Sequence, residues 1–293
     1  MNEHEYGCYI KAGTIAAAVK REVRPLIVVG ASLLSLAERT EQLIRDKGGE
    51  PAFPVNLSLN ATAAHATPQK GETTMLTDKD ILKIDLGVHV GGYVCDTAMT
   101  VAFNSDHADL VRASEEAVTA AVRLCVPGTQ IKDISDVIEQ TISGYGFKPI
   151  SNLTGHGLEQ YGLHTAPQIP NVANTITTEL KEDQVLAIEP FATTGQGMVR
   201  DSGTAVIFSV LRRVPVRNAD ARTILAFSET LHDLPFAERW LPFSSIKTRI
   251  ALRELLERGA IHDYPPLREI ADGLVSQAEH TVIVRDTPII TSQ

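Results

Sequence analysis

Residues 82–96 read LKIDLGVHVGGYVCD, an apolar run that carries one acid near its start, a Gly91-Gly92 pair, a second apolar run and a closing acid. Two apolar runs around a glycine pair predict a β-hairpin. Such a hairpin brings Asp85 and Asp96, eleven residues apart, to one end. A carboxylate inside ILKIDLGV is costly unless it is paired or holds a cation, so Asp85 needs a partner. Residues 186–201, LAIEPFATTGQGMVRD, echo the pattern, with Glu189 and Asp201 as the acids and Gly195-Gln196-Gly197 as the turn. Working outward, the helices repeat too. Periodicity predicts a helix over about 5–29 with a break near Pro25, and a second begun by Ser32 and stopped by Gly48-Gly49. Shifting the second by 98 residues lays Gly30 on Gly128, Glu41-Gln42 on Glu139-Gln140, Ile44 on Ile142, Gly48 on Gly146 and Pro51 on Pro149, six identities in 22 aligned positions. Two α+β halves related by a pseudo-twofold axis follow, with the cleft between them as the natural site.

The chain reads as one domain over 1–293, interrupted by a segment at about 212–267 that has no counterpart in the first half. There Ile246, Ile250, Leu252, Leu255 and Leu256 outline an apolar stripe that Gly259 stops, which predicts a helical insert. AEHTVIVRD at 278–286 alternates and reads as a closing strand.

Composition narrows the function. A 43% hydrophobic, 22% charged chain has the material for a normal core. A net charge of −9 repels phosphate backbones and anionic lipid, and 5% aromatic residues leave little for base stacking, so neither DNA nor a membrane surface is an expected partner. Cys8, Cys95 and Cys125 are odd in number and form no C-x-x-C pair, as free thiols in a reducing compartment would; the cytoplasm is the expected location. The acidic N-terminus is no secretory signal, and the uncharged stretch 25–37 is too short to cross a bilayer.

Three or four acids on apolar strands need a common explanation. Glu189 interrupts VLAIEPF, and Glu279 opens the closing strand; spacing alone leaves Asp201 and Glu279 as competing candidates. His156 lies between Gly155 and Gly157, where the backbone approaches closely, and His164 follows. Carboxylates with one imidazole suit two hard or borderline divalent cations, which points to hydrolysis. His65, just after the NLS echo of the later NLT, is a candidate for the opposite wall. His4, His89, His107, His232, His262 and His280 read as surface or structural positions, and Cys95, beside Asp96 on a strand, as a buried thiol.

These motifs, AFPVNLSLNATAAHATP, KIDLGVHVGGYVCDTAMTVAF, SNLTGHGLEQYGLHTAPQIPN, VLAIEPFAT and AEHTVIV, resemble the methionine aminopeptidases, in the short archaeal form of the type II branch, almost end to end. The resemblance implies the pita-bread fold and the metal ligands Asp85, Asp96, His156, Glu189 and Glu279, with Asp96 and Glu279 shared between two ions, and it prefers Glu279 to Asp201. It implies cobalt, manganese, iron, zinc or nickel as the metal, Glu189 as proton shuttle, His164 at the scissile amide and His65 positioning substrate. Phe53, Leu163 and Tyr264 match the methionine pocket, and a small second residue is preferred. The implied partners are nascent-chain N-termini, with a transient ribosome contact, for a monomeric protein. The rival readings are an X-Pro aminopeptidase or prolidase, and a non-catalytic pita-bread protein that binds RNA or ribosomes through Arg249, Arg253 and Arg258 of the insert.

Overall fold

In the computed structural model, which describes residues 1–293, the glycine turn joins strands Ile81–Val90 and Tyr93–Ala102 in unbroken antiparallel register, Ile81 opposite Ala102 and Val90 opposite Tyr93. Asn56–Leu59 pairs on the other side of the first strand, Asn56 opposite Asp85. Two helices cover this sheet. Helix α1 (Glu3–Val23) opens with a capping box between Asn2 and Glu5 and gives way to a 3-10 turn, Arg24–Leu26, at Pro25. Helix α2 (Leu33–Asp46) starts at Ser32, whose hydroxyl accepts the Ser35 N–H at 3.3 Å. Their apolar faces and the sheet form one core around Val19, Leu36, Ile44, Leu57, Ile84 and Leu86.

The second half repeats the plan with α3 (Ala108–Val122) and α4 (Ile131–Gly144). Helices α2 and α4 are each 14 residues long and start 98 residues apart, from Leu33 to Ile131. Equivalent hydrogen bonds follow from donors 98 residues apart: Gly30 N–H donates to Leu76 O and Gly128 N–H to Leu180 O, both at 2.8 Å. Gly48 and Gly146, with φ of 80° and 81°, end the two helices in the left-handed conformation that costs other residues most.

The expected second hairpin is not formed. Val199–Asp201 does not return along Val185–Ile188 but pairs with Leu267–Glu269. Its place beside Val185–Ile188 goes to His280–Ile283, while Val275–Gln277 lies along Phe191–Thr193. Two local causes are visible. Pro190 lacks the N–H that would continue the ladder, and the Glu269 carboxylate draws in the N–H groups of Gln196, Ala271 and Gly273 at 2.5, 2.7 and 2.9 Å, turning the glycine loop aside.

Threonine hydroxyls stitch the halves together. Thr281 Oγ1 accepts the Asp96 N–H and donates to Asp96 O, each at 2.7 Å. Thr97 and Thr100 donate at 2.7 Å to the carbonyls of Glu279 and Gln277.

Between the halves and the closing strand, helices α5 (Ala219–Thr230) and α6 (Ser245–Glu257) pack over strands Ile207–Val210 and Ile261–Tyr264, around Phe208, Ile224, Phe236, Leu252 and Leu255. The apolar stripe read on α6 is corrected: Ile246 and Ile250 are 74% and 59% exposed, and the helix buries Thr248, Ala251, Leu252 and Leu255. Small Thr248 and Ala251 let the helix lie close against its neighbours, which turns the two isoleucines outward. No helix is long and apolar enough to cross a membrane.

Candidate metal centre

Each acid reaches the cleft from a different strand or strand end. Cross-strand partners share a face of the sheet. Asp85 opposite Ala98 and Asp96 opposite Gly87 therefore project the same way from the hairpin. His156 comes from Thr154–Glu159, paired to Val185–Ile188, the strand that ends at Glu189. Glu279 precedes His280–Ile283, which pairs with that same strand. The glycines beside His156 serve close approach: a Cβ on Gly155 would fall 2.5 Å from Ala187 O, and one on Gly157 2.3 Å from Ala166 O.

The donor atoms converge. Those of Asp96, His156 and Glu279 lie within 4.8 Å of one another, and all three residues are buried. His156 Nε2 is 3.6 Å from Glu189 Oε1 and 3.9 Å from Asp96 Oδ2. Its Nδ1–H donates to Gly157 O at 3.2 Å, so the Nε2 lone pair faces the acids. Gln277 Nε2 is 3.5 Å from Asp85 Oδ2. Asp201 is exposed on Val199–Asp201, outside the cluster.

Burial pushes the Asp85 carboxyl up to about 7. Burial first and then repulsion from neighbouring acids hold Asp96, Glu189 and Glu279 well above the usual carboxylate range. Burial takes His156 down to about 3, with His164 adding to it, so the imidazole is neutral. No lysine or arginine forms an ion pair with any of the four acids. Asp85 Oδ1, Asp96 Oδ1 and Glu279 Oε2 are buried without a hydrogen-bond partner. Three buried oxygens left without a donor are unfavourable by themselves and suit a hard or borderline divalent cation.

Beside the cluster lies a cavity of about 320 Å³, within the range of small-ligand sites. Phe53, Leu163, Ile207 and Tyr264 form apolar parts of its wall, and His65 and His164 stand on it. Tyr264 is fixed by a 3.0 Å hydrogen bond to Ser209 Oγ, and its ring meets His65 edge to face at 5.6 Å. His164 packs at 4.5 Å from His156. Both His65 and His164 have left-handed backbone, φ of 61° and 54°, which costs a non-glycine residue on the order of 1 kcal/mol. Burial lowers His65 to about 4, and burial also lowers His164.

Sequence reading missed two residues here. His262, read as surface or structural, lines the cavity and packs edge to face on Tyr264 at 4.7 Å. Gln277 gives little signal in the sequence because an uncharged amide in a strand needs no special partner, although it lies two residues before Glu279 in an extended run and such residues share a face. His280, by contrast, turns to Ser292 Oγ at 2.7 Å, and Cys95 is fully buried.

Two pseudo-symmetric α+β halves around a buried acid and imidazole cluster define a pita-bread metallohydrolase. The model of metallopeptidase family M24 matches residues 7–209. The methionine aminopeptidase of Thermococcus onnurineus is 49% identical over 290 residues, 97% of each chain. Among solved structures, a thermophilic Arx1 superposes with a TM-score of 0.88 at 19% identity, over 99% of this chain and 91% of that one. The methionine aminopeptidase of Thermotoga maritima does so at 0.73 and 22%, over 100% and 98%. These two likenesses show the fold. The chain belongs to the methionine aminopeptidases of family M24.

Proposed function

We propose that the protein removes the N-terminal methionine from nascent proteins and peptides, favouring a small second residue, with two divalent ions held by Asp85, Asp96, His156, Glu189 and Glu279. One observation supports the ligand set above the rest: three of the five present a buried oxygen with nothing to accept from. By the family resemblance, Asp96 and Glu279 would be the pair shared between the two ions. Bound ions supply Lewis acidity at neutral pH.

The remaining chemistry belongs to side chains. Glu189, at the end of its strand and held above the usual carboxylate range by burial, takes a proton from the attacking water and returns it to the departing amine. His164, neutral and open to the cavity, donates to the carbonyl oxygen as charge develops there. His65 orients the substrate from the opposite wall. Phe53, Leu163 and Tyr264 receive the methionine side chain, whose flexible thioether fits an irregular apolar slot. Space beyond them limits the second residue.

A peptide assay tests this. Met-Ala-Ser cleavage by the metal-loaded protein is expected to vanish on chelation and return with metal, and Glu189→Gln is expected to lower kcat by about 10²–10⁴-fold. Cleavage unchanged by both treatments rejects the reading. Met-Ala-Ser is expected to be preferred over X-Pro peptides, the opposite of a prolidase. The basic face on which the binding-protein alternative depends is matched by acids, since Arg249, Arg253 and Arg258 lie against Glu238, Glu257 and Glu254 at 3.7, 2.8 and 3.2 Å. A monomer in the cytoplasm, in brief contact with the ribosome, completes the proposal.

A further inference from the structure

Where the insert meets the first half, Arg239 and Glu41 of α2 form an ion pair whose side chains are 3% and 4% exposed. Arg239 lies in the 3-10 turn Glu238–Trp240. Its Nη2 donates to Glu41 Oε1. Its Nη1 donates to Thr67 Oγ1 at 2.6 Å and to Pro68 O at 3.3 Å. The same carboxylate accepts the Val55 N–H at 3.2 Å and the Trp240 Nε1–H at 2.9 Å, and Thr67 Oγ1 donates to Val55 O at 2.7 Å. Neither Glu41 nor Arg239 lines the cavity, yet two of their partners, Val55 and Thr67, each lie two residues from one that does. Val55 is two residues past Phe53, and Thr67 two past His65. Arg239 is two past Ala237, which pairs with Ile207, and Ile207 pairs in turn with Tyr264.

Two surfaces can be joined without buried charge, since an apolar pair of similar volume is often as stable or more so. What the ion pair adds is direction. Its hydrogen bonds run to the backbone of Val55 and Pro68 and to the Thr67 hydroxyl, so they hold the Phe53 and His65 wall at a set distance from the Ile207 and Tyr264 wall. A pocket that distinguishes side chains by about one methylene, worth roughly 10–200-fold, depends on that distance.

We propose that Glu41 and Arg239 are positioning residues for side-chain selection: the strut sets the gap across the pocket, and with it the preference for methionine over other apolar first residues. The inference rests on the aminopeptidase reading above. Its test uses the full chain loaded with manganese and two variants. The double variant Glu41→Leu with Arg239→Met removes both charges and keeps volume. Arg239→Lys keeps the charge without the planar fork, and carries the test if the double variant does not fold.

Steady-state kinetics on Met-Ala-Ser and Leu-Ala-Ser are read together with calorimetric binding of L-methionine and bound manganese. In the double variant KM for Met-Ala-Ser is expected to rise about tenfold with kcat within about twofold, and the Met to Leu preference to fall about tenfold. L-methionine is expected to bind more weakly in parallel, with manganese content unchanged and Arg239→Lys intermediate. A lower melting temperature with KM, preference and L-methionine binding intact overturns the proposal, and so does a fall in kcat at constant KM or a loss of manganese. If the unmodified protein fails to cleave Met-Ala-Ser while the variants still weaken L-methionine binding, the activity reading falls and the strut stands.

Discussion

Gln277 shows how much of a site can rest on an uncharged residue. Its Nε2 is directed at Asp85 Oδ2, 3.5 Å away, while its Oε1 is buried without a partner. Groups that orient metal ligands typically account for about 10–100-fold in affinity. Gln277→Leu is therefore expected to weaken manganese binding by that factor, read by titration calorimetry, with the fold intact by circular dichroism; unchanged affinity removes the orienting role. The left-handed backbone at His65 and His164 belongs to the same scale. Residue type and motif context mark both positions in the sequence, but no local pattern announces a positive φ at a histidine. That conformation persists because packing around the cavity over-determines it.

Among elements, punctuation was the most legible feature. Ser32, Gly48 and Gly146 delimit α2 and α4 where sequence places them, because caps satisfy helix-end groups within one turn and need no distant partner. Burial faces were less legible, and α6 is the example. Its sequence supports two overlapping stripes sharing Leu252 and Leu255, and tertiary contact with its neighbours chose the one through Thr248 and Ala251. Ile250→Glu is accordingly expected to change stability by less than about 0.5 kcal/mol, whereas Leu255→Ala, fully buried in the insert's core, is expected to cost about 2–5 kcal/mol. Urea midpoints at constant slope measure both, and comparable losses from the two variants contradict the assigned face.

For the molecule as a whole, the acid cluster couples stability to pH and metal. Asp85, at about 7, and Asp96, Glu189 and Glu279, each held well above the usual carboxylate range, keep protons in the folded state that the unfolded chain releases above about pH 4. Folding thus weakens as pH rises through that window. His156 at about 3 and His65 at about 4 act in the opposite sense, costing stability only below about pH 6.5. Lys83 and Lys20, whose amines burial holds below the usual value, oppose the trend only where they would otherwise carry charge. Across about pH 6.5–7.5, where Asp85 at about 7 gives up its proton, the chelated protein is expected to lose melting temperature. Manganese is expected to restore more of it at the upper end, because metal binds deprotonated ligands. Thermal melts with and without manganese check this; a flat or rising curve for the chelated protein speaks against the cluster's charge balance.

The sequence by itself determined the two-half plan, the boundaries of α2 and α4, the first hairpin and a short list of acids and histidines on strands, while the first helix, read over about 5–29, ends at Val23 before the Pro25 turn. Alternation, caps and the 98-residue repeat are written in side chains within a few positions of one another, and the energies behind them act over that same range. Only the tertiary structure decided that the second hairpin opens and that Arg239 meets Glu41, and only it gives the physical ground for Glu279 over Asp201, which spacing left open and the family resemblance preferred. Those outcomes compare residues of equal local merit. Asp201 and Glu279 are both carboxylates on short extended runs, and what separates them is that threonine hydroxyls dock the strand of Glu279 against that of Asp96, while Pro190 and Glu269 send Asp201 to the surface. Contacts between positions that far apart in the chain leave no periodic trace in either segment alone.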